Sequence, residues 1–193
     1  AMSITPRNAL RAAPGLRLFI MLVLISLASP VWAGWLPDGV PVCTAVGYQG
    51  SLVSVPDGLG GMLCVWQDQR AAQLKIYAQR IDATGNLLWT TNGVLVGSDP
   101  SFHPWICPDG VGGAYITWNS RPGGYGSIFV QHLNASGSPI WASAGISIAG
   151  GNASSDNSLP VCAGDGLGGV VVAWVQQYNP PAPQFQVVAQ RMT

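Results

Sequence analysis

The pentapeptide Asp-Gly-x-Gly-Gly occurs three times in the chain, each time at the same distance from a tryptophan. The copies span residues 57–61, 109–113 and 165–169, and five residues after their last glycine stand Trp66, Trp118 and Trp174. Glycine supplies the positive φ angles that a tight hairpin requires, and aspartate is a common turn residue. Three such turns, 52 and 56 residues apart, indicate three copies of one β-rich unit.

Further segments recur in the same order within each unit. Residues 76–80 match 128–132 and 187–191, and a later Gly-x-x-x-Trp segment ends at Trp89 and Trp141. We predict four antiparallel strands per unit: one before the Asp-Gly turn, one ending at the first tryptophan, one over residues such as 76–80, and one carrying the second tryptophan. The predicted fold class is therefore all-β. Four strands every ~50 residues are typical of β-propeller blades, including kelch and WD40 repeats.

The units span approximately residues 43–96, 97–148 and 149–193. Residues 34–42 repeat the fourth-strand pattern, because Trp35 is followed by Gly39, Val40, Pro41 and Val42. We expect this segment to act as a closing strand for the third unit. Three blades fall below the usual four to eight. The chain is therefore expected to be a partial propeller, or half of a six-bladed ring completed as a homodimer.

Residues 1–33 have the organisation of a signal peptide. Arg7, Arg11 and Arg17 precede an apolar run over residues 18–27, and small or aliphatic residues lead up to Ala33. A transmembrane span is the alternative, but it needs about 20 apolar residues. We expect cleavage after Ala33, leaving no membrane segment, and a secreted, periplasmic or cell-surface location.

Charge and cysteine content exclude several function classes. Only 8% of the residues are charged, and residues 34–193 hold five Lys and Arg against eight Asp, a net charge of −3. No basic patch is available for nucleic acid. The cysteines (Cys43, Cys64, Cys107 and Cys162) form no CxxC pair, so a zinc site is not indicated. They could form disulfides in any of three pairings, or they could be free thiols that pack as small buried apolar residues. We predict no metal and no cofactor, since one turn aspartate per unit cannot supply the oxygens that calcium needs.

The repeat resembles a family of exported bacterial proteins built from tandem propeller-like repeats. The resemblance rests on Asp-Gly-x-Gly-Gly, then Trp-x-Asp-x-Arg, Ile-Tyr-Ala-Gln-Arg, and Gly-x-x-x-Trp leading to Gly-Val-x-Val. The first unit matches nearly throughout, including residues 66–70, whereas the second and third units depart after Trp118 and Trp174. The resemblance implies export and a propeller fold, and it implies no reaction.

Most of the acidic residues are assigned to turns of the scaffold rather than to catalysis, and only Asp68, Asp99 and Asp156 are left without a turn to explain them. Asp57, Asp109 and Asp165 hold one turn position, and we expect Asp68 to pair with Arg70. A glycosidase-type propeller needs two carboxylates about 5–10 Å apart. We therefore predict no catalytic residue, and assign Asp57, Asp109 and Asp165, with Trp66, Trp118, Trp174, Trp89 and Trp141, to the structural repeat.

The variable connections supply the candidate binding residues. In an antiparallel meander, the second-to-third and fourth-to-first connections lie on the side opposite the glycine turns, and binding residues concentrate on variable loops. The candidates are Arg121, Tyr125, Tyr178, His103 and Trp105. The predicted function is a non-catalytic, exported interaction module whose partner is a protein or a glycan. The alternative is a piece of a carbohydrate-active propeller enzyme with catalytic residues outside this chain.

Overall fold

The computed structural model describes residues 35–97, 100–121, 123–178 and 181–193, so the predicted signal peptide lies outside the described residues. Within these ranges the chain is all-β and has no helix, hence none that could cross a membrane. Its strands form three antiparallel sheets of four, four and three strands, and none of the sheets is closed.

Each sheet is a meander in which consecutive strands are neighbours. The first sheet contains β1 (Gln49–Pro56), β2 (Met62–Asp68), β3 (Lys75–Ile81) and β4 (Val94–Gly97). The second contains β5 (Ser101–Pro108), β6 (Ala114–Ser120), β7 (Ser127–Leu133) and β8 (Ile146–Ala149). The third contains β9 (Ser155–Gly164), β10 (Val170–Tyr178) and β11 (Gln184–Met192).

The repeated pentapeptide forms the hairpin turn between the first and second strands of every sheet. In the first sheet, Asp57 Oδ1 accepts hydrogen bonds from the amides of Leu59 and Gly61, both at 2.8 Å. Gly58 and Gly60 adopt φ angles of 78° and 88°, which L side chains rarely tolerate. The motif therefore recurs because one backbone conformation recurs.

The sheets stack in the order first, second, third, and each contact joins two unlike faces. We call the face that carries Trp66, Trp118 or Trp174 the tryptophan face, and the other the forward face. Leu63, Val65 and Ile76 on the forward face of the first sheet are fully buried in one apolar core with Ile116 and Trp118 of the second. A second core joins residues of the second sheet, including Ile128 and Val130, to Val172 and Trp174 of the third. Burial of apolar side chains between unlike faces holds the sheets together.

The structure differs from the sequence prediction at the third sheet, which has three strands rather than four. Residues 35–42 form no strand, and β11 has no partner on its outer side among the described residues. The first sheet holds this segment instead. The Trp35 indole donates a hydrogen bond to the Ala83 carbonyl at 3.0 Å, and Val42 and Cys43 lie beside Trp66.

Two further boundaries differ from the predictions. Trp89 and Trp141 precede β4 and β8 rather than lying in them. The Trp89 indole crosses to the second sheet, where it donates to the Ala135 carbonyl at 3.0 Å. His103, expected in a connection, lies inside β5 because β5 begins at Ser101.

Candidate functional site

Each sheet has a β-bulge in its first strand, directly opposite the second-strand tryptophan. The pairing of β1 with β2 skips from Gly50 to Val53, so Ser51 and Leu52 together face Trp66. The same irregularity places His103 and Pro104 opposite Trp118, and Leu159 and Pro160 opposite Trp174. A bulge puts two residues against one and re-aims the side chains it carries.

The first residue of every bulge has a left-handed backbone. The φ angles are 50° at Ser51, 51° at His103 and 53° at Leu159. For a residue other than glycine this conformation costs about 1–2 kcal/mol. Each of the three lies six positions before its turn aspartate, so the strain belongs to the repeat. Strained backbone of this kind is concentrated at functional sites, which makes the bulges the first candidates for one.

The three bulges meet around one hollow, which we call the first-strand groove. It has a volume of about 320 Å³, at the small end of the range for ligand sites. It is lined by the same three repeat positions from each sheet, which are Ser51, Leu52, Val53, His103, Pro104, Trp105, Leu159, Pro160 and Val161. At these positions the three sheets have the same bulged backbone but carry different side chains.

The lining of the groove is mostly apolar, and several of its side chains are open to solvent. Leu52 and Leu159 are more than half exposed, and Trp105 is 38% exposed. Ser51 is engaged, since its hydroxyl donates to the Gln67 side-chain oxygen at 2.6 Å. The exposed His103 ring has no hydrogen-bond partner among the described residues. The groove therefore offers apolar contacts, one indole and one imidazole.

The structure separates the sequence-predicted binding residues into two groups. His103 and Trp105 meet in the first-strand groove. Arg121 forms an ion pair with Asp156 at 3.1 Å, and Asp156 also accepts a hydrogen bond from the Gly126 amide, so the β6–β7 loop, which includes Tyr125, is fastened to the start of β9. Tyr178 lies opposite Ser155 in the third sheet, and its hydroxyl donates to Gln176 at 2.9 Å.

Side-chain bonds connect each turn aspartate to the third strand of its own sheet. Arg80 donates to Asp57 at 3.0 Å, His132 lies 3.0 Å from Asp109, and Arg191 is bonded to Asp165. Burial alone raises the pKa of Asp57, but hydrogen bonds from two backbone amides and Arg80 outweigh it and leave that pKa below its usual value. These carboxylates therefore serve the fold.

The first and second sheets each donate a side-chain hydrogen bond to a glycine carbonyl in the turn of the next sheet, but they use different residues to do so. Arg80 reaches across to the next sheet and donates to the Gly112 carbonyl at 2.8 Å. His132 stands at the position that Arg80 and Arg191 hold in the other units, and it is partly buried against Tyr115, with ring centroids 4.2 Å apart. Tyr115 then donates from its hydroxyl to the carbonyl of Gly168, the counterpart of Gly112, at 2.8 Å. The contact between sheets is thus kept although the arginine is not.

The predicted Asp68–Arg70 pair is confirmed, with 2.6 Å between Arg70 Nη2 and Asp68 Oδ2. Burial alone raises the pKa of Asp68, but hydrogen bonds from Arg70 and from the Trp66 indole more than offset this effect and bring the pKa down to about 2. The guanidinium also lies 3.7 Å from the centroid of the Tyr77 ring. Asp68 is therefore engaged in hydrogen bonds and an ion pair inside the first sheet.

The remaining tryptophans and the cysteines also lie within the packing of the sheets. The Trp174 indole donates to Asn157 at 3.1 Å, and Trp141 lies edge-on to His132. All four cysteines are free thiols, and burial raises the pKa of Cys64 to about 11. In the described part of the chain, no three His, Cys or Asp side chains gather as metal ligands would.

Sequence reasoning missed the bulges and therefore seven of the nine residues that line the groove. Leu52, Leu159 and Val161 were not singled out, because an exposed aliphatic residue in a strand has no distinguishing pattern. The available signal was positional, since the site six residues before each turn aspartate holds Ser, His and Leu in otherwise matching units.

Comparison of the chain with protein-family models and with curated proteins finds no match.

Proposed function

We propose that the three sheets are blades of a β-propeller and that the chain is an exported, non-catalytic binding module. Its binding surface is the first-strand groove. The observation that carries this proposal is the contrast between the shared bulge backbone and the unshared side chains that the bulges present. A rigid scaffold that displays different residues around one hollow is the usual arrangement of a binding site.

The groove favours an apolar segment of a protein partner. Of its nine lining residues, seven are aliphatic, proline or tryptophan, and exposed apolar surface of this kind marks interaction sites. A glycan would need several polar groups to bind its hydroxyls. Trp105 gives a glycan a stacking surface, so a glycan is the second ligand class to be tested.

The enzyme alternative has less support from the described residues. Asp57, Asp109 and Asp165 are bonded to turn amides and a third-strand side chain, while Asp68 and Asp156 are paired with arginines. A hydrolytic pair of carboxylates must instead flank a bound substrate. None of the described residues that line the first-strand groove is acidic.

A binding screen with a groove variant tests the proposal. The exported chain is applied to a glycan array and to a library of apolar peptides, and products are followed by mass spectrometry. We expect binding without turnover, weakened at least tenfold by Trp105→Ala, since a central aromatic contact contributes more than about 1.4 kcal/mol. Leu167→Ala serves as the control because Leu167 is 83% exposed on a glycine turn outside the groove. Turnover of a bound glycan, or equal affinity in both variants, would refute the proposal.

A further inference from the structure

The forward face of the third sheet is exposed, although its counterparts are buried in the other two sheets. The residues that correspond to Val187 are Ile76 and Ile128, and neither of these is accessible to solvent, whereas Val187 is 80% exposed. In the first and second sheets this face is covered by the tryptophan face of the following sheet. The surface on the third sheet therefore has the character of an interface that continues the established stacking.

The outer edge of the third sheet is also open among the described residues. β11 pairs with β10 alone, while β3 and β7 each pair with a fourth strand. Phe185 and Val187 on β11 are both mostly exposed. An unpaired strand edge with apolar side chains is a ready template for another strand.

Residues 35–42 are already placed beside the first sheet as the fourth strand of a preceding sheet would be. Trp35 donates to Ala83 in the same way as Trp89, before β4, donates to Ala135 of the second sheet. Eight residues after these tryptophans come Cys43 and Gly97. The Cys43 thiol lies 3.8 Å from the Asp68 oxygen that accepts from the Trp66 indole, and Gly97 lies against Trp118. Two independent contacts thus give this segment the same position relative to the following sheet.

We propose that a second copy of this chain docks head to tail on the third sheet. Residues 40–43 of one copy, the counterparts of β4, pair with β11 of the other, and the tryptophan face of the first sheet covers the forward face of the third. This inference goes beyond the binding function proposed above and does not depend on it. Two such contacts close a ring of two copies and six sheets, within the usual propeller size.

The observed pairings predict the register of this contact. Ile76 pairs with Gly97 in the first sheet, and Ile128 pairs with Ala149 in the second, in each case eight residues after the tryptophan. The corresponding pair between copies is Val187 with Cys43. Pro41 falls on the outer strand of the completed sheet, where proline is tolerated.

Disulfide trapping tests this register directly. Val187→Cys is treated with oxidised glutathione, and the products are separated without reductant and mapped by mass spectrometry. We expect a disulfide between the introduced thiol of one copy and Cys43 of the other, giving a covalent dimer, because directly paired strand residues lie within disulfide range. Val111→Cys is the matched control, since Val111 is also a valine with 80% exposure but lies on the turn of the second sheet.

Light scattering of the untreated protein supplies the second measurement. We expect a dimer mass for the parent chain and for Val111→Asp, and a monomer mass for Val187→Asp at the same concentration. A disulfide from the introduced thiol to Cys43 within one chain would overturn the proposal, because the segment would then close its own third sheet. A ladder above the dimer, or a monomeric parent whose Val187→Cys variant gives no disulfide, would overturn it as well.

Discussion

Glycine at position 103 should make the protein more stable than alanine does, which reverses the usual order of these two residues in a strand. The backbone at His103 has a φ of 51°, and the side chain is exposed. Glycine in a strand interior normally lowers the free energy of unfolding by about 0.5–1 kcal/mol relative to alanine. A left-handed backbone reverses this order because an L side chain there costs about 1–2 kcal/mol.

The comparison uses glycine and alanine at two positions. His103→Gly should exceed His103→Ala in the free energy of unfolding by about 0.5–1 kcal/mol, the difference between the two effects above. Ser54, an exposed β1 residue without a positive φ, is the control, and Ser54→Gly should be less stable than Ser54→Ala. Urea unfolding gives both differences. If His103→Gly is less stable than His103→Ala, the left-handed bulge is refuted.

Three further predictions concern the scaffold. Arg80→Met should lower the free energy of unfolding by about 3 kcal/mol, since it leaves Asp57 buried without its arginine. Arg191→Met should lower the free energy of unfolding of the monomer much less, because that arginine is half exposed. Equal losses in urea unfolding would contradict this. The pKa of Asp68 is lowered from 3.8 to about 2 in the fold. The ionised Asp68 therefore contributes about 2 kcal/mol to the free energy of unfolding above pH 3.8, and this contribution is lost as the pH falls towards 2. Acid titrations should show a steeper loss of stability for the parent chain than for Asp68→Asn. Thr117→Val should not lower the melting temperature, because the buried Thr117 hydroxyl is paired with the Cys162 thiol, a weak hydrogen-bond partner that does not offset a desolvation cost of about 1 kcal/mol; a lower melting temperature would show that the hydroxyl contributes a full hydrogen bond.

Local patterns made most of the strands predictable from the sequence. The Asp-Gly-x-Gly-Gly turn requires positive φ angles at glycine, so it identifies the hairpin and the strands on either side. The second strands follow from their apolar residues ending in tryptophan. Pairing of Asp68 with Arg70 was equally predictable, since the two residues are close in sequence.

Features that depend on contacts between distant residues could not be predicted in this way. The position of residues 35–42 depends on a bond from Trp35 to Ala83 in another unit. The role of His132 depends on Tyr115, which takes over the contact that an arginine makes elsewhere. The groove depends on bulges, and the residue types serine, histidine and leucine at positions 51, 103 and 159 do not indicate a left-handed backbone.

The affinity of a ligand found in the binding screen, measured for groove and loop variants, tests the central claim most directly. Calorimetry should compare Trp105→Ala and Leu159→Ala in the first-strand groove with Arg121→Ala and Tyr125→Ala on the β6–β7 loop. We predict a dissociation constant raised at least tenfold by the groove variants and less than twofold by the loop variants. The opposite order would place the binding surface on the loops and contradict the account.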